Sequence, residues 1–215
     1  STKIWQDLGV WDEIKNLRSH PFKKMYVWDE KSNAHIDFCA NSMGQDYLGH
    51  LVENKVITHA LFNKLIDTSN IEFLQDDLLD LKYESSSEHK WEIKTKNSDS
   101  IYTKLLIGAD GANSFVREKV KIDITSKNYE QMATVCTLKT QKPLQHCAWQ
   151  NFLTTGPLAY LPLNEHTASI VWSQDKASYE TTKKLEDIEF EKIIANKFNN
   201  KFGDVKLLSP RLAFP

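Results

Sequence analysis

The run Leu105-Leu-Ile-Gly-Ala-Asp-Gly-Ala-Asn-Ser-Phe-Val-Arg117 constrains this chain more than any other stretch. It reads as a buried strand, then a glycine turn holding one carboxylate, then the start of a helix. Gly108-Ala109 lets backbone come close to a neighbour, and Gly111 permits a turn with positive φ. Asn113 or Ser114 can cap the helix, whose positive end would face the turn. Such an end suits a pyrophosphate, as in a dinucleotide cofactor. An ordinary strand–turn–helix with Asp110 as turn former explains the same residues, so both readings stay open.

Composition narrows the class without deciding the function. A chain of 215 residues can hold one sizeable core or parts of two domains. The net charge of −2 gives no electrostatic case for nucleic acid or for a strongly anionic membrane surface. No run of about 18 apolar residues occurs, so no transmembrane segment is expected and any membrane contact would be peripheral. Cys39, Cys136 and Cys147 lack metal or redox spacing, and with no secretory signal they fit a reducing cytoplasm. The seven histidines form no helix-spaced metal pair, so no metal is expected. Ser114 lies outside a Gly-x-Ser-x-Gly elbow, which disfavours a serine hydrolase.

Local patterning divides the chain in two. Ile4 to Ile14 predicts a helix carrying Trp5, Leu8 and Trp11, with Gly9 as its weak point. Lys24–Asp29 and His35–Phe38 predict a pair of strands around a polar turn at Lys31-Ser-Asn33. Lys55–Leu65 predicts an amphipathic helix with Asn54 as N-cap. Ile71–Leu74, Leu78–Tyr83, the alternating Trp91–Thr95 and the buried run Ile101–Ile107 read as strands. Gln131–Lys139, Cys147–Leu153, Leu158–Leu163 and Thr167–Ser173 then read as four successive strands of an antiparallel sheet. A helix after Ser178 should turn Leu185, Ile188, Ile193, Ile194 and Phe198 to a core, and Lys206–Ala213 should return as a strand.

Several ordered motifs carry a family resemblance: Leu8-Gly-Val-Trp-Asp12, Met25-Tyr-Val-Trp-Asp29, Leu48-Gly-His-Leu-Val-Glu-Asn54, Gly108 to Arg117, Leu158-Ala-Tyr-Leu-Pro-Leu163, Ser169-Ile-Val-Trp-Ser173 and Arg211-Leu-Ala-Phe-Pro215. The segment Gly108–Arg117 resembles the Asp-Gly motif of class A flavin monooxygenases, the para-hydroxybenzoate hydroxylase superfamily. The whole set resembles the ubiquinone-biosynthesis hydroxylases, and Gly-His-Leu-Val-Glu-Asn resembles most the VisC type, which acts on 2-octaprenylphenol. The Gly-x-Gly-x-x-Gly strand–turn–helix and the later Gly-Asp motif of such enzymes do not occur here. The resemblance therefore implies an internal piece of a longer enzyme, not catalytically competent by itself.

The resemblance implies an α/β (α+β) fold like that of para-hydroxybenzoate hydroxylase. Residues 1–120 would be part of the FAD domain interleaved with early substrate-domain strands, and residues 121–215 a mainly antiparallel substrate-domain sheet with a helix. It implies FAD and NAD(P)H as cofactors. Asp110 would lie near the ribose and pyrophosphate, with Gly108 and Gly111 as backbone-approach positions. Arg117 would steer a nicotinamide phosphate, against a plain reading as a solvated or salt-bridged helix residue. Asn54 stands where many superfamily members place an arginine that reaches the flavin; it offers hydrogen bonds without charge. Asp77, with Asp76, matches the adenine-side strand end. Tyr160 and Pro162 lie on a strand that backs the substrate cavity in the family. Trp149, Phe152 and Trp172 could line an apolar slot, or be ordinary sheet packing.

The activity implied is hydroxylation of the aromatic ring of a polyprenylphenol in ubiquinone biosynthesis, with dioxygen as co-substrate. No catalytic side chain is assigned, since the cofactor carries the chemistry. Other ubiquinone-biosynthesis proteins are candidate partners, and a cytoplasmic location, peripheral to the inner membrane at most, is expected. The alternatives are another superfamily flavoprotein (a prenyl-lipid reductase or a different aromatic hydroxylase) and a non-catalytic lipid-binding or scaffold component.

Overall fold

A computed structural model describes residues 1–32 and 34–215. In chain order the elements are α1 (Thr2–Asp7), α2 (Trp11–Arg18), β1 (His20–Phe22), β2 (Lys24–Asp29), β3 (His35–Cys39), β4 (Gly49–Leu51) and α3 (Asn54–Ile66). They continue with β5 (Leu78–Tyr83), β6 (Trp91–Thr95), β7 (Ile101–Thr103), α4 (Phe115–Lys119), β8 (Gln131–Thr140), β9 (Cys147–Leu153), β10 (Gly156–Pro162) and β11 (Thr167–Asp175). The last are α5 (Lys176–Thr182), α6 (Asp187–Lys197), β12 (Val205–Leu207) and β13 (Leu212–Phe214). Two compact units result: residues 1–64 with 128–215, and residues 65–127.

The larger unit is organised by an eight-stranded sheet in the order β12-β8-β11-β10-β9-β2-β3, with β13 also on β8. Strands β8 to β11 are antiparallel, as expected of four successive strands, but β8 lies beside β11 instead of β9, giving the order β8-β11-β10-β9 with Tyr160 opposite Ile170 and Trp149. The one parallel pairing sets β2 beside β9, with Tyr26 opposite Trp149. Alternation along these strands sends Leu138, Trp149, Leu158, Tyr160, Ile170 and Trp172 to one buried face. Helix α6 covers that face through Phe190 and Ile194, followed by Phe198, a spacing of four that keeps all three on one side. Ile188, expected in this core, is 66 % exposed because it lies two residues, about 200°, from Phe190. A second cluster joins α2 and α3 through Val10, Trp11, Ile14, Val56 and Ala60, with Trp5 of α1 packed against it.

Three other expectations are corrected here. The opening helix is two helices: Gly9 has φ +73, a left-handed conformation that ends α1. The final return is two short strands on β8, because Pro210 has no amide to donate. Ser209 Oγ fills the gap, accepting the Thr137 amide at 2.9 Å. Helix α3 begins one residue earlier than expected: the Glu53 carbonyl accepts the Ile57 amide at 3.4 Å, so Glu53 and not Asn54 occupies the cap position. The turn expected at Lys31-Ser-Asn33 includes Asn33, which lies outside the described residues; Lys31 donates its amide to Asp29 at 2.9 Å.

The smaller unit is built on a three-stranded antiparallel sheet, β5-β6-β7. No strand forms over Ile71–Leu74; a four-residue apolar run does not by itself distinguish strand from loop. The strand expected over Ile101–Ile107 ends at Thr103, whose hydroxyl donates to the Leu105 carbonyl at 3.0 Å and so turns the backbone out of the ladder. Leu105 and Ile107 are therefore 70 % and 76 % exposed instead of buried.

Candidate functional site

The Asp110 turn is a compact hydrogen-bonded device. Ser114, buried, caps α4 by accepting the Arg117 amide at 3.0 Å. The Ser114 hydroxyl also donates to the Asp110 carboxylate, which accepts the Val116 amide at 3.1 Å with its other oxygen. Hydrogen bonds from Ser114 first, and then from Val116, hold the Asp110 carboxyl below its ordinary pKa. Arg117 reaches back from α4 to the Ala112 carbonyl at 2.7 Å and pins the turn. Lys119 ties the same helix to β5 through Asp80 at 3.0 Å.

This geometry gives each motif residue a local cause. A Cβ on Gly108 would lie 3.0 Å from Val116 Cγ1, so the glycine lets α4 seat against the segment before the turn. Gly111 has φ +86 and open space around it. The first-turn amides of α4 are occupied by Asp110 and Ser114, so the helix end is not a vacant anion cradle. Instead, the exposed amides of Gly111, Ala112 and Asn113 have no hydrogen-bond partner among the described residues. A solvent-facing row of donors beside a carboxylate acceptor fits a nucleotide, whose phosphate oxygens need donors and whose ribose hydroxyls need an acceptor.

Asp76 and Asp77 precede β5 in the same unit. Asp76 accepts the amide of Asp77 at 2.8 Å, and the amide and side chain of Asn97 at 3.0 and 2.9 Å. Desolvation works to raise its pKa, but donors from Asn97, Asp77, Thr95 and Ser98 outweigh that and bring it down to about 2. The Asp77 side chain is exposed and, among the described residues, pairs with Lys96 at 3.5 Å. Asp76 is thus the organised member of the pair.

In the larger unit, the Asn54 carbonyl accepts from Thr58 at 3.1 Å, and neighbouring Glu53 pairs with Arg18 at 2.5 Å. Tyr160 is completely buried against Phe198 and Phe202, and burial pushes its hydroxyl pKa far up. Trp172 is buried beside Phe190, and Pro162 is buried on the same face as Tyr160. Tyr160 and Trp172 therefore pack under α6 as core, and Pro162 shares their buried face. The opposite face of the sheet carries Val135, Ala159, Leu161 and Val171, all half-buried, and exposed Phe152, Leu212 and Phe214. Period-two alternation singles out this second apolar set, but does not say which set a helix will cover. Burial raises the Cys136 and Cys147 thiols to about 12 and about 11, so neither serves as a nucleophile near neutral pH.

With this geometry in place, comparison with known proteins is informative. The FAD binding domain family matches residues 1–212. The mitochondrial ubiquinone biosynthesis monooxygenase COQ6 of Danio rerio is 37 % identical over 206 residues, covering 92 % of this chain and 42 % of the relative. The 3-demethoxyubiquinol 3-hydroxylase of Escherichia coli K12 is 31 % identical over 216 residues, covering 100 % of this chain and 54 % of the relative. The chain thus spans about half the length of these curated relatives or somewhat less. Among solved structures, Pseudomonas aeruginosa PqsL in complex with 2-aminobenzoylacetate aligns with a TM-score of 0.73 at 15 % identity, over 98 % of this chain and 60 % of that one. The flavin-dependent brominase Bmp2 aligns with a TM-score of 0.70 at 13 % identity, over 99 % and 54 %. The expected fold class, a mixed α/β chain with a mainly antiparallel sheet in the manner of flavin monooxygenases, is what the structure and these neighbours display. Among the described residues no helix is long and apolar enough to cross a membrane.

Proposed function

The chain belongs to the FAD binding domain family, and we propose that it forms part of an NAD(P)H-dependent flavin monooxygenase of ubiquinone biosynthesis that hydroxylates the aromatic ring of a polyprenylphenol. The observation that carries the reading is the Asp110 turn, where the amides of Gly111 to Asn113, without partners among the described residues, stand beside a carboxylate with a lowered pKa. There the amides would donate to phosphate oxygens and Asp110 would accept from hydroxyls of the FAD ribose. Asp77, in the same unit, offers a further polar contact to the cofactor, and Arg117 steers the nicotinamide nucleotide. Asn54 is a separate candidate that rests on the family resemblance alone. Gly108 keeps α4 seated so that the turn holds its shape.

Bound FAD, reduced by NAD(P)H, supplies the activation of dioxygen and the transfer of one oxygen atom to the ring. The chain's residues bind, orient and exclude water. Strands β10 and β11 back the substrate pocket: Tyr160, Pro162 and Trp172 stiffen them from the buried side. Ala159, Leu161 and Val171, on the other face, offer an apolar wall to a phenol ring. On this reading residues 1–120 are part of the FAD domain interleaved with early substrate-domain strands, β2 and β3 among them, and residues 121–215 are the substrate-domain sheet and helix. A prenylated substrate resides in membrane lipid, so contact with the inner membrane would be peripheral, and other ubiquinone-biosynthesis proteins are natural partners.

The test uses the full-length gene product. Purified protein should carry stoichiometric FAD and convert a 2-polyprenylphenol to a hydroxylated product, read by mass spectrometry. Asp110→Ala should lower flavin retention while leaving the circular dichroism spectrum unchanged. Normal flavin content and normal NAD(P)H oxidation in that variant would remove Asp110 from cofactor binding. Reduction of a prenyl double bond, or no turnover at all, would refute the hydroxylase assignment.

A further inference from the structure

The open face of the large sheet, the one turned away from α6, carries a register row that crosses seven strands. At its middle stands Gln150 of β9. On one side Gln150 lies opposite Ala159 of β10, followed across β11, β8 and β13 by Val171, Val135 and Leu212. On the other side it lies opposite Val27 of β2, followed by Ile36 of β3. Cross-strand partners point to the same face, so Gln150 is the single polar side chain in a row of apolar ones. Strands stand about 4.8 Å apart, and the apolar run from Gln150 to Leu212 is therefore about 19 Å long.

Gln150 is half-buried, and no hydrogen-bond partner reaches its side-chain amide among the described residues. Phe152, two residues along β9 on the same face, is exposed beside it. On β2, β9 and β10 one other polar side chain, Asp29, shares this face, and its carboxylate accepts the Lys31 amide. The nearest hydroxyls of the face, Ser169 and Ser173 on β11, are two strands away, about 10 Å. Water satisfies the Gln150 amide while the face is wet. Once an apolar molecule lies over it, the amide needs a partner from that molecule. It can both donate and accept, so a single hydroxyl suffices.

We propose that Gln150 is a specificity-determining residue: its amide hydrogen-bonds the ring hydroxyl of a phenol whose apolar body lies along Ala159, Val171 and Val135. The inference rests on the reading of β10 and β11 as the wall of the substrate pocket, and names the group on this chain that tells a phenol from a plain hydrocarbon. The match is one of pattern. A single amide in an otherwise apolar row complements a single hydroxyl on an otherwise apolar molecule. A hydrocarbon of the same shape leaves the amide covered and unpaired, so the face favours the phenol.

The probes are 2-geranylphenol and geranylbenzene, which differ only in the hydroxyl. Each is titrated into the full-length gene product, and free ligand is measured by ultrafiltration and mass spectrometry. The wild type should bind the phenol about tenfold or more tighter than the hydrocarbon. In Gln150→Met, an unbranched replacement of similar size, that ratio should fall to about one, with binding of the hydrocarbon unchanged or tighter. Gln150→Leu serves as a second apolar replacement and should behave the same way. A ratio kept in both variants, or equal weakening of both ligands, would overturn the assignment of Gln150 while leaving the hydroxylase reading in place. Equal binding of the two ligands by the wild type would overturn it too, even where the same protein hydroxylates a 2-polyprenylphenol. Failure of the wild type to bind or turn over the phenol removes the underlying reading, and the inference with it.

Discussion

Replacing Ser114 with alanine should loosen one short helix without touching the large sheet. The hydroxyl accepts the Arg117 amide at 3.0 Å and donates to Asp110, so its loss removes both the cap and the clamp on the carboxylate. Loss of a serine cap costs about 1 kcal/mol, which corresponds to roughly a fivefold rise in the population of the opened helix. Amide hydrogen exchange reads this directly. Protection at Val116 and Arg117 should fall about fivefold, while amides of β8 to β11 keep theirs. A second readout is the titration of Asp110. In the wild type the folded carboxyl holds its proton less tightly than the unfolded chain does. Asp110 therefore adds stability above the ordinary carboxylate range, and that contribution is lost as pH falls through the lowered folded value. Since Ser114 is the foremost cause of the lowering, the Asp110 titration in Ser114→Ala should move up toward the ordinary range, as seen by carbon NMR of the carboxyl. Unchanged exchange at Val116 and Arg117, together with an unmoved titration, would show that neither bond matters and would refute the reasoning.

Three other outcomes can be checked. Gly108→Ala places a methyl 3.0 Å from Val116 Cγ1 and should destabilise the smaller unit by about 1–3 kcal/mol through overpacking, read in urea melts; adding Val116→Ala should cost less than the two changes summed. Phe198→Ala, which empties a buried site against Tyr160 and Phe202, should destabilise the larger unit by about 3–5 kcal/mol in calorimetry or denaturant melts. Burial, helped by His146 and His50, holds the His20 pKa below the ordinary histidine value, so the unfolded chain takes up that proton first. Stability should then decline as pH falls below about 6.5, and His20→Gln should flatten the decline in pH-dependent melts.

Much of the larger unit could be read from its residues because the signals there are local. Strands β8, β10 and β11 alternate and β8 to β11 are linked by short connections, so their existence follows from pattern; that β8 pairs with β11 and not with its neighbour β9 does not. Which face α6 would cover did not follow. Alternation is symmetric, and Tyr160 and Trp172 went to the covered side while Ala159 and Val171 took the other. The Ile188 and Phe190 exchange has the same root, since a helix rich in apolar residues does not declare its buried stripe. In the Asp110 turn, glycine and serine chemistry pointed to a strand–turn–helix, but a single hydroxyl, that of Thr103, ended the preceding strand early. The row of amides at Gly111 to Asn113, unpaired among the described residues, had no sequence signal beyond the glycine itself.

The pairing of β2 with β9 has a consequence during synthesis. Tyr26 meets Trp149 only after roughly 120 further residues have emerged, which at about 5–20 residues per second is a wait of roughly 6–25 s. Throughout that interval the aromatic hairpin of the nascent polypeptide has no neighbour on its central edge. A chaperone that shields ribosome-bound chains should engage there first, and release once β9 has left the exit tunnel.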